Sequence, residues 1–174
     1  GEDVQAAIAG EPPGGSVVLL PGRHRGPVVL DRPVTLAGQE GAVIEGPGHG
    51  SVVTVTAAGA AVRGLTLRGS GSDLQTMDSA VLLRQSAKGA RVEGNRFEGN
   101  LFGVYIHGAD GAVVRGNVIT GRAGGRLAEH GDGIALWNAP GARVEDNDIR
   151  FGRDGIFARV SRNNVFAGNR FREL

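Results

Sequence analysis

The sequence predicts an all-β fold, a right-handed parallel β-helix, which is a solenoid of stacked coils, with a short N-terminal capping helix. A short phrase recurs along the chain, and the hydrophobic positions inside it keep fixed spacings. Glycine is abundant, 31 of 174 residues, but lacks the three-residue period of collagen. Hydrophobic residues make up 40% of the chain and occur in short runs, which is typical of many short strands joined by glycine-rich corners rather than of disorder.

The repeated phrase reads GAAVRGLTL, GARVEGNRF, GAVVRGNVI, GARVEDNDI and NNVFAGNRF, and successive copies lie 30, 22, 30 and 22 residues apart. About 22 residues supply three short strands and three corners, which is one coil, and successive coils pair in parallel about 4.8 Å apart. Equivalent positions should therefore stack inside the solenoid. The two predicted core columns are Val62, Val92, Val114, Val144 and Phe166, and Leu67, Phe97, Ile119, Ile149 and Phe171.

Two further columns are polar. Asparagine tolerates left-handed backbone and can hydrogen-bond to an asparagine on the next coil, which predicts a structural ladder rather than a catalytic array. The ladder consists of Asn95, Asn117, Asn147 and Asn169. An outward column alternates in charge, so each side chain should face its opposite on the next coil. Its members are Arg63, Glu93, Arg115 and Glu145.

The two ends of the repeat differ. Residues 3–9 predict a short helix that places Val4 and Ile8 against the first coil. At the other end the sequence stops inside the repeated phrase, so we expect residues 1–174 to form a single β-helix domain that is an N-terminal fragment of a longer solenoid.

Composition excludes several classes of function. A formal net charge of +1, without a basic block, argues against a nucleic-acid partner. The absence of cysteine excludes disulfides and thiolate metal sites. No stretch approaches the roughly 18 apolar residues of a membrane span.

Residues 20–38, LPGRHRGPVVLDRPVTLAG, resemble the opening coil of the CASH-type β-helices of carbohydrate-binding proteins and sugar hydrolases. The phrases HGDGIALWNAPGARVEDNDI (130–149) and GRDGIFARVSRNNVFAGNRF (152–171) narrow the resemblance to the NosD-type proteins of nitrous oxide reductase maturation, over about residues 4–174. The resemblance implies a periplasmic, non-enzymatic accessory protein. It also implies as partners the ATPase and membrane subunits of an ABC transporter, a copper chaperone and nitrous oxide reductase. Copper belongs to the full-length system, and no cofactor is expected in this segment.

The spacings of 30 contain two long loops, about residues 68–80 and 120–133, which leave the same corner on alternate coils. Just behind them, Asp132 and Asp154 lie in register, with Arg153 and His130 close by. Three interpretations stay open: Asp-Gly turn chemistry, the carboxylate pair of a retaining glycosidase, and a Ca²⁺ or partner contact. The corner is our candidate partner-binding surface.

Two outward columns cross the adjoining sheet face. One contains Arg84, His107, Trp137 and Arg159, and the other contains Leu82, Tyr105, Ala135 and Phe157. Trp137 beside Tyr105 predicts an exposed apolar patch that could hold a protein or stack a sugar ring.

No metal site can be assigned from the sequence. Cu(I) favours Met and His ligands, and Met77 and His130 lie on the two long loops. The sequence favours a non-enzymatic scaffold for copper-centre assembly, and the alternative is a polysaccharide-binding or polysaccharide-cleaving β-helix.

Overall fold

The computed structural model describes residues 2–122 and 130–173, which form one helix, α1 (Glu2–Gly10), and twenty short strands arranged in three parallel sheets. Each coil contributes one strand to each sheet, so the neighbour of any strand is the strand three places later in the chain. This topology is the right-handed parallel β-helix that the spacings predict.

The sheets are named A, B and C in the order in which a coil visits them. Sheet A contains β1 (Ser16–Leu19), β4 (Thr35–Gly38), β7 (Ala61–Arg63), β10 (Arg91–Glu93), β13 (Val113–Arg115), β16 (Arg143–Glu145) and β19 (Val165–Ala167). Sheet B contains β2 (Gly22–Arg25), β5 (Ala42–Glu45), β8 (Thr66–Arg68), β11 (Arg96–Glu98), β14 (Val118–Thr120), β17 (Asp148–Arg150) and β20 (Arg170–Arg172). Sheet C contains β3 (Val28–Leu30), β6 (Val53–Val55), β9 (Ser79–Leu83), β12 (Phe102–His107), β15 (Ile134–Trp137) and β18 (Ile156–Arg159).

Both predicted core columns are confirmed by the strand register. Val62, Val92, Val114 and Val144 pair in sequence along sheet A and are fully buried. The second column pairs in the same way along sheet B, from Leu67 to Phe171. Only the members on the final coil, Phe166 and Phe171, are exposed, at 44% and 46%.

The asparagine ladder is also confirmed, with one correction. The Oδ1 atom of Asn117 accepts hydrogen bonds from the backbone N–H of Asn95 (3.0 Å) and from its Nδ2 (3.1 Å), while Nδ2 of Asn117 donates to the Val92 carbonyl (3.0 Å). Asn147 and Asn169 repeat this geometry. The left-handed backbone, however, belongs to the residue before each asparagine, such as Gly116 (φ 67°) and Asp146 (φ 56°). The ladder therefore depends on the asparagine amide, which both donates and accepts hydrogen bonds, and not on the ability of asparagine to adopt a left-handed backbone.

The outward charge column was only partly right. Arg115 and Glu145 form a cross-coil ion pair at 2.9 Å. Glu93, in contrast, pairs with Arg91 on its own strand. Residues two apart on one strand face the same side, and so a neighbouring arginine on that strand competes with the one on the next coil.

The capping helix covers the first coil. Val4 and Ile8 are buried against it, and the side chain of Gln5 forms two hydrogen bonds with the backbone of Val29, at 2.7 and 2.9 Å. Because β3 is the edge strand of sheet C, its free N–H and C=O groups would otherwise be a template for pairing with another chain. The Gln5 amide supplies the missing pairing.

Candidate functional site

The two long loops leave the solenoid at the corner between sheets B and C. The first loop (residues 69–78) joins β8 to β9, and the second (residues 121–133) joins β14 to β15. The corners of the intervening coils are short, residues 99–101 and 151–155. Residues 123–129 of the second loop lie outside the described residues. The predicted placement of both loops at one corner is confirmed.

One arginine joins the two loops. Arg122, at the base of the second loop, donates to the carbonyl oxygens of Gly71 (2.9 Å) and Ser70 (3.3 Å) and to the Ser72 hydroxyl (2.8 Å) in the first loop. Its Nε donates to the carbonyl of Gly99 in the short corner between them, at 2.9 Å. The base of the second loop and the first loop are therefore one connected surface.

Asp132 and Asp154 lie side by side at the same corner. Asp154 acts on the Asp132 carboxyl group through its charge and through its backbone N–H. The glycine after Asp132 is required by packing, because a Cβ atom on Gly133 would collide with Ile149 and with the carbonyl oxygen of Gly155. Since Gly133 does not have a positive φ, close approach rather than turn conformation explains this Asp-Gly phrase.

Burial and repulsion perturb the acidic pair. Burial, then the charge of Asp154, raise the pKa of Asp132 to about 6. Arg153 acts in the opposite direction but does not offset them. The Oδ1 atom of Asp132 is buried, and no hydrogen-bond partner for it is found among the described residues. Near neutral pH the corner therefore holds a carboxylate that is poorly compensated, as two like charges in one partly buried site must be.

The acidic corner has little room for a ligand. The cavity that Asp132 lines together with Asn100 and Arg150 measures about 10 Å³. A volume of that size matches one water molecule and is too small for a sugar ring.

The other predicted corner residues are close to the pair. Arg153 is exposed, and its backbone N–H donates to the Gly131 carbonyl at 3.0 Å. His130 is half-buried at the end of the second loop. Tyr105 lies on the neighbouring strand, where burial and then the charge of Asp132 raise the pKa of its hydroxyl. The structure thus brings Asp132, Asp154, Arg153, His130 and Tyr105 into one neighbourhood.

Trp137 lies at the far end of β15, the strand that follows Asp132, and is therefore away from the acidic pair. Its indole ring stacks on the imidazole of His107, with ring centroids 4.8 Å apart and planes 16° apart. In register, Trp137 is followed by Arg159 on the next coil. Two surface features therefore share the outer face of sheet C, an acidic corner at one end and a stacked column at the other.

The predicted apolar patch is smaller than the sequence indicates. Trp137 (40%) and Phe157 (47%) are exposed, but Leu82 and Ala135 are buried although their side chains point outward. Ala135 belongs to a small second cluster outside the solenoid with Leu101 and Phe102. Phe102 and Tyr105 pack in this cluster, and Ala135 is therefore buried although it lies on the outer face of the sheet.

Sequence reasoning missed Arg122 and Asn100. Asn100 accepts from the Ser70 backbone N–H (3.1 Å) and donates to the Leu67 carbonyl (3.0 Å), as in the main ladder. Both residues lie three positions after a member of the second core column, and this register was the available signal. The described residues contain no group of three or more His, Asp or Glu side chains placed to hold a metal ion, and a contact between Met77 and His130 stays a prediction. No helix in the described part of the chain is long and apolar enough to cross a membrane.

Residues 51–174 match the family model described as the right handed beta helix region. The chain is 40% identical over 146 residues to a protein of Stutzerimonas stutzeri described as a probable ABC transporter binding protein NosD, covering 83% of this chain and 34% of that protein. It is 39% identical over 137 residues to the NosD of Pseudomonas aeruginosa, which has the same description, covering 79% and 32%. The chain spans about a third of the length of these curated relatives.

Among solved structures, the chain resembles a protein of Parabacteroides merdae that is provisionally classed as a glycosyl hydrolase, with a TM-score of 0.78. The alignment covers 98% of this chain and 87% of that protein at 16% identity, a likeness of fold alone. The match to the family model, which includes most of the chain, agrees with the sheet topology and with the NosD relatives. This chain therefore belongs to the right-handed β-helix family, as a β-helix of the NosD type.

Proposed function

We propose that the chain is part of a non-enzymatic accessory protein that works with an ABC transporter in assembling the copper centre of nitrous oxide reductase. The observation that carries this proposal is the 40% identity to NosD across most of the chain. We place the protein in the periplasm. Its partners are the transporter's ATPase and membrane subunits, a copper chaperone and the reductase, and copper is the cargo of that system.

A scaffold role is supported by the physical character of the chain. The core is continuous along the coils, and the asparagine ladder ties each coil to the next through buried hydrogen bonds. Loops on such a rigid support are suited to binding. The partner surface that we propose consists of the acidic corner, with Asp132, Asp154, Arg153 and His130, of Tyr105 beside it, and of Trp137 at the other end of the same sheet face.

The alternative is a polysaccharide-binding or polysaccharide-cleaving β-helix, which the paired carboxyl groups of Asp132 and Asp154 favour. The small cavity beside them counts against a glycosidase. We expect no turnover of pectin, alginate or chitin fragments. Turnover that Asp132→Asn or Asp154→Asn abolishes would establish the alternative.

Co-purification of the full-length protein with the transporter tests the scaffold proposal. The double variant Arg153→Glu, Asp154→Arg reverses both exposed corner charges without changing net charge. It should weaken co-purification in low salt, because exposed charges mainly control encounter and salt dependence, while the thermal midpoint stays nearly unchanged. A matched control, Arg91→Glu with Glu93→Arg, exchanges an ion pair on sheet A and should leave partner binding intact. If co-purification of the corner variant falls only in proportion to lost stability, Asp154 supports its own turn and the corner is not the partner surface.

A further inference from the structure

The end of sheet C opposite the acidic corner carries a column of stacked and cationic side chains. His107 and Trp137 are register partners whose rings stack at 4.8 Å. Arg84 follows β9 on the coil before His107, and Arg159 pairs with Trp137 on the coil after it. We call these four residues the cationic column.

Among the described residues, neither of the two arginines has an acidic partner. None of the ion pairs formed by the described residues includes Arg84 or Arg159, and neither guanidinium donates a hydrogen bond to those residues. Arg63 and Arg96 on the other two sheets also form no ion pair with the described residues, so the distinguishing feature of the column is that two such cations flank a stacked aromatic pair. The cationic column is thus positioned to receive a negative group from outside the chain.

A groove beside the column is lined by hydrogen-bond donors. It is a shallow, open depression formed by Arg84, Gln85, Ser86 and His107. The guanidinium offers five N–H donors, and the amide, hydroxyl and imidazole groups can each donate as well. No acidic side chain lines this groove. Such a donor set fits carboxylate oxygens, which only accept.

The stacking geometry favours a peptide over a saccharide as the source of the carboxylate. A sugar ring would pack on the face of an aromatic ring, but one face of the Trp137 indole is already covered by His107. An extended peptide needs only the exposed edges of the rings and the flanking arginines. Tyr105 and Phe157 on the adjoining column offer apolar contacts to its other side chains.

We infer that the cationic column and its groove bind the carboxylate side chains of an acidic segment of a partner protein. The inference rests on the proposed scaffold function and names the chemistry of the partner. Arg84 and Arg159 are three coil steps apart, about 14 Å. An extended chain covers that span in about four residues, so acidic residues four positions apart would meet the two guanidinium groups.

Fluorescence titration tests this inference directly, because Trp137 is the single tryptophan of the chain. A peptide of ten glutamates, added to the whole chain in low salt, should change the emission saturably, and a peptide of ten lysines should not. Arg84→Ala and Arg159→Ala should each raise the Kd about tenfold, the usual loss for a charge-assisted hydrogen bond. Arg96→Ala removes an exposed cation from sheet B and is the matched control; it should leave the Kd within about twofold of the parent value.

Each outcome decides the inference. A glutamate peptide that leaves the Trp137 emission unchanged at millimolar concentration overturns it, as does equal weakening by the Arg84 and Arg96 variants. Tighter, Arg84-dependent binding of polygalacturonate than of the peptide assigns the groove to an anionic saccharide instead. Thermal melts of Arg84→Ala and Arg159→Ala establish whether each variant is folded. The Kd of a folded variant is the value that tests the inference. The transporter co-purification is independent, so failure here leaves the proposed function standing.

Discussion

The guanidinium of Arg122 reaches across one whole coil to the carbonyl oxygen of Gly71, 51 residues earlier in the chain, at 2.9 Å. On the way it donates to Gly99 in the intervening corner. This single side chain therefore spans three successive coils at the corner where both long loops leave the solenoid. The first loop is held by a residue that belongs to the second.

Replacing Arg122 with alanine should loosen the first loop while leaving the solenoid intact. The variant loses the hydrogen bonds to Ser70, Gly71 and Ser72, each worth about 1–3 kcal/mol when a charged donor is involved. Amide hydrogen exchange at Gly71 and Asp73 should become at least tenfold faster, and exchange in the core strands should not change. Arg143→Ala, which breaks an ion pair on sheet A, is the control. Unchanged exchange at Gly71 would show that the loop holds its conformation without Arg122.

Removal of one ladder asparagine should be far more costly in the middle of the solenoid than at its last rung. The Asn117 side chain forms four buried hydrogen bonds, and Asn117→Ala leaves their partners unsatisfied, for a loss of about 4 kcal/mol. Asn169 forms three, but at a partly exposed position where water can replace it, so Asn169→Ala should cost about 1 kcal/mol. Urea denaturation measures both. Equal losses would mean that the ladder contributes no more than exposed hydrogen bonds.

Periodicity explains which features the sequence could predict. The column from Val62 to Phe166 and the ladder from Asn95 to Asn169 repeat at the coil spacing, so their positions follow from register alone. Register marks the position of Arg122, but the partners of Arg122 and Gln5 could not be predicted in the same way, because each side chain occurs once and pairs with backbone groups far away in the sequence. The pairing of Asp132 with Asp154 followed from register, but the partial burial of Asp132 depends on side-chain packing. For the same reason, the stacking of the His107 ring on the Trp137 ring could not be predicted from the sequence.

An aspartate placed in the core column should unfold the chain, whereas one on the outside of the same sheet should not. Val114 is fully buried in the middle of sheet A, and Val114→Asp would bury an unpaired carboxylate at a cost of several kcal/mol. Val18 is 54% exposed on the same sheet, so Val18→Asp should cost below about 1 kcal/mol. Circular dichroism melts distinguish the two. A cooperative transition of Val114→Asp at the parent temperature would place that side chain on the outside of the sheet.

The acidic corner should make the stability of the chain depend on pH in a defined window. The pKa of Asp132 is raised to about 6 in the folded state, from 3.8 for the free group. Below about pH 4 the carboxyl group is protonated in both states and costs nothing. As the pH rises from 4 to 6 the unfolded chain releases the proton more readily than the folded chain does, and stability is lost. Above pH 6 the full penalty is present, about 1 kcal/mol after allowance for the partial exposure of Asp132.

Asp132→Asn should therefore stabilise the protein at neutral pH and do little at pH 4. The amide keeps an oxygen that can accept the backbone N–H of Asp154, and it removes the repulsion between the two carboxylates. The thermal midpoint should rise by roughly 2–4 °C at pH 7.5, the shift that about 1 kcal/mol produces in a domain of this size. Asp110→Asn, an exposed aspartate on another corner, should show no such pH-dependent gain. An Asp132→Asn variant that is less stable than the parent at pH 7.5, but equally stable at pH 4, would mean that the ionised carboxylate is compensated in the folded state. In that case the buried Oδ1 atom would be satisfied by a cation or a hydrogen-bond donor, and the corner would be a binding site in its own right.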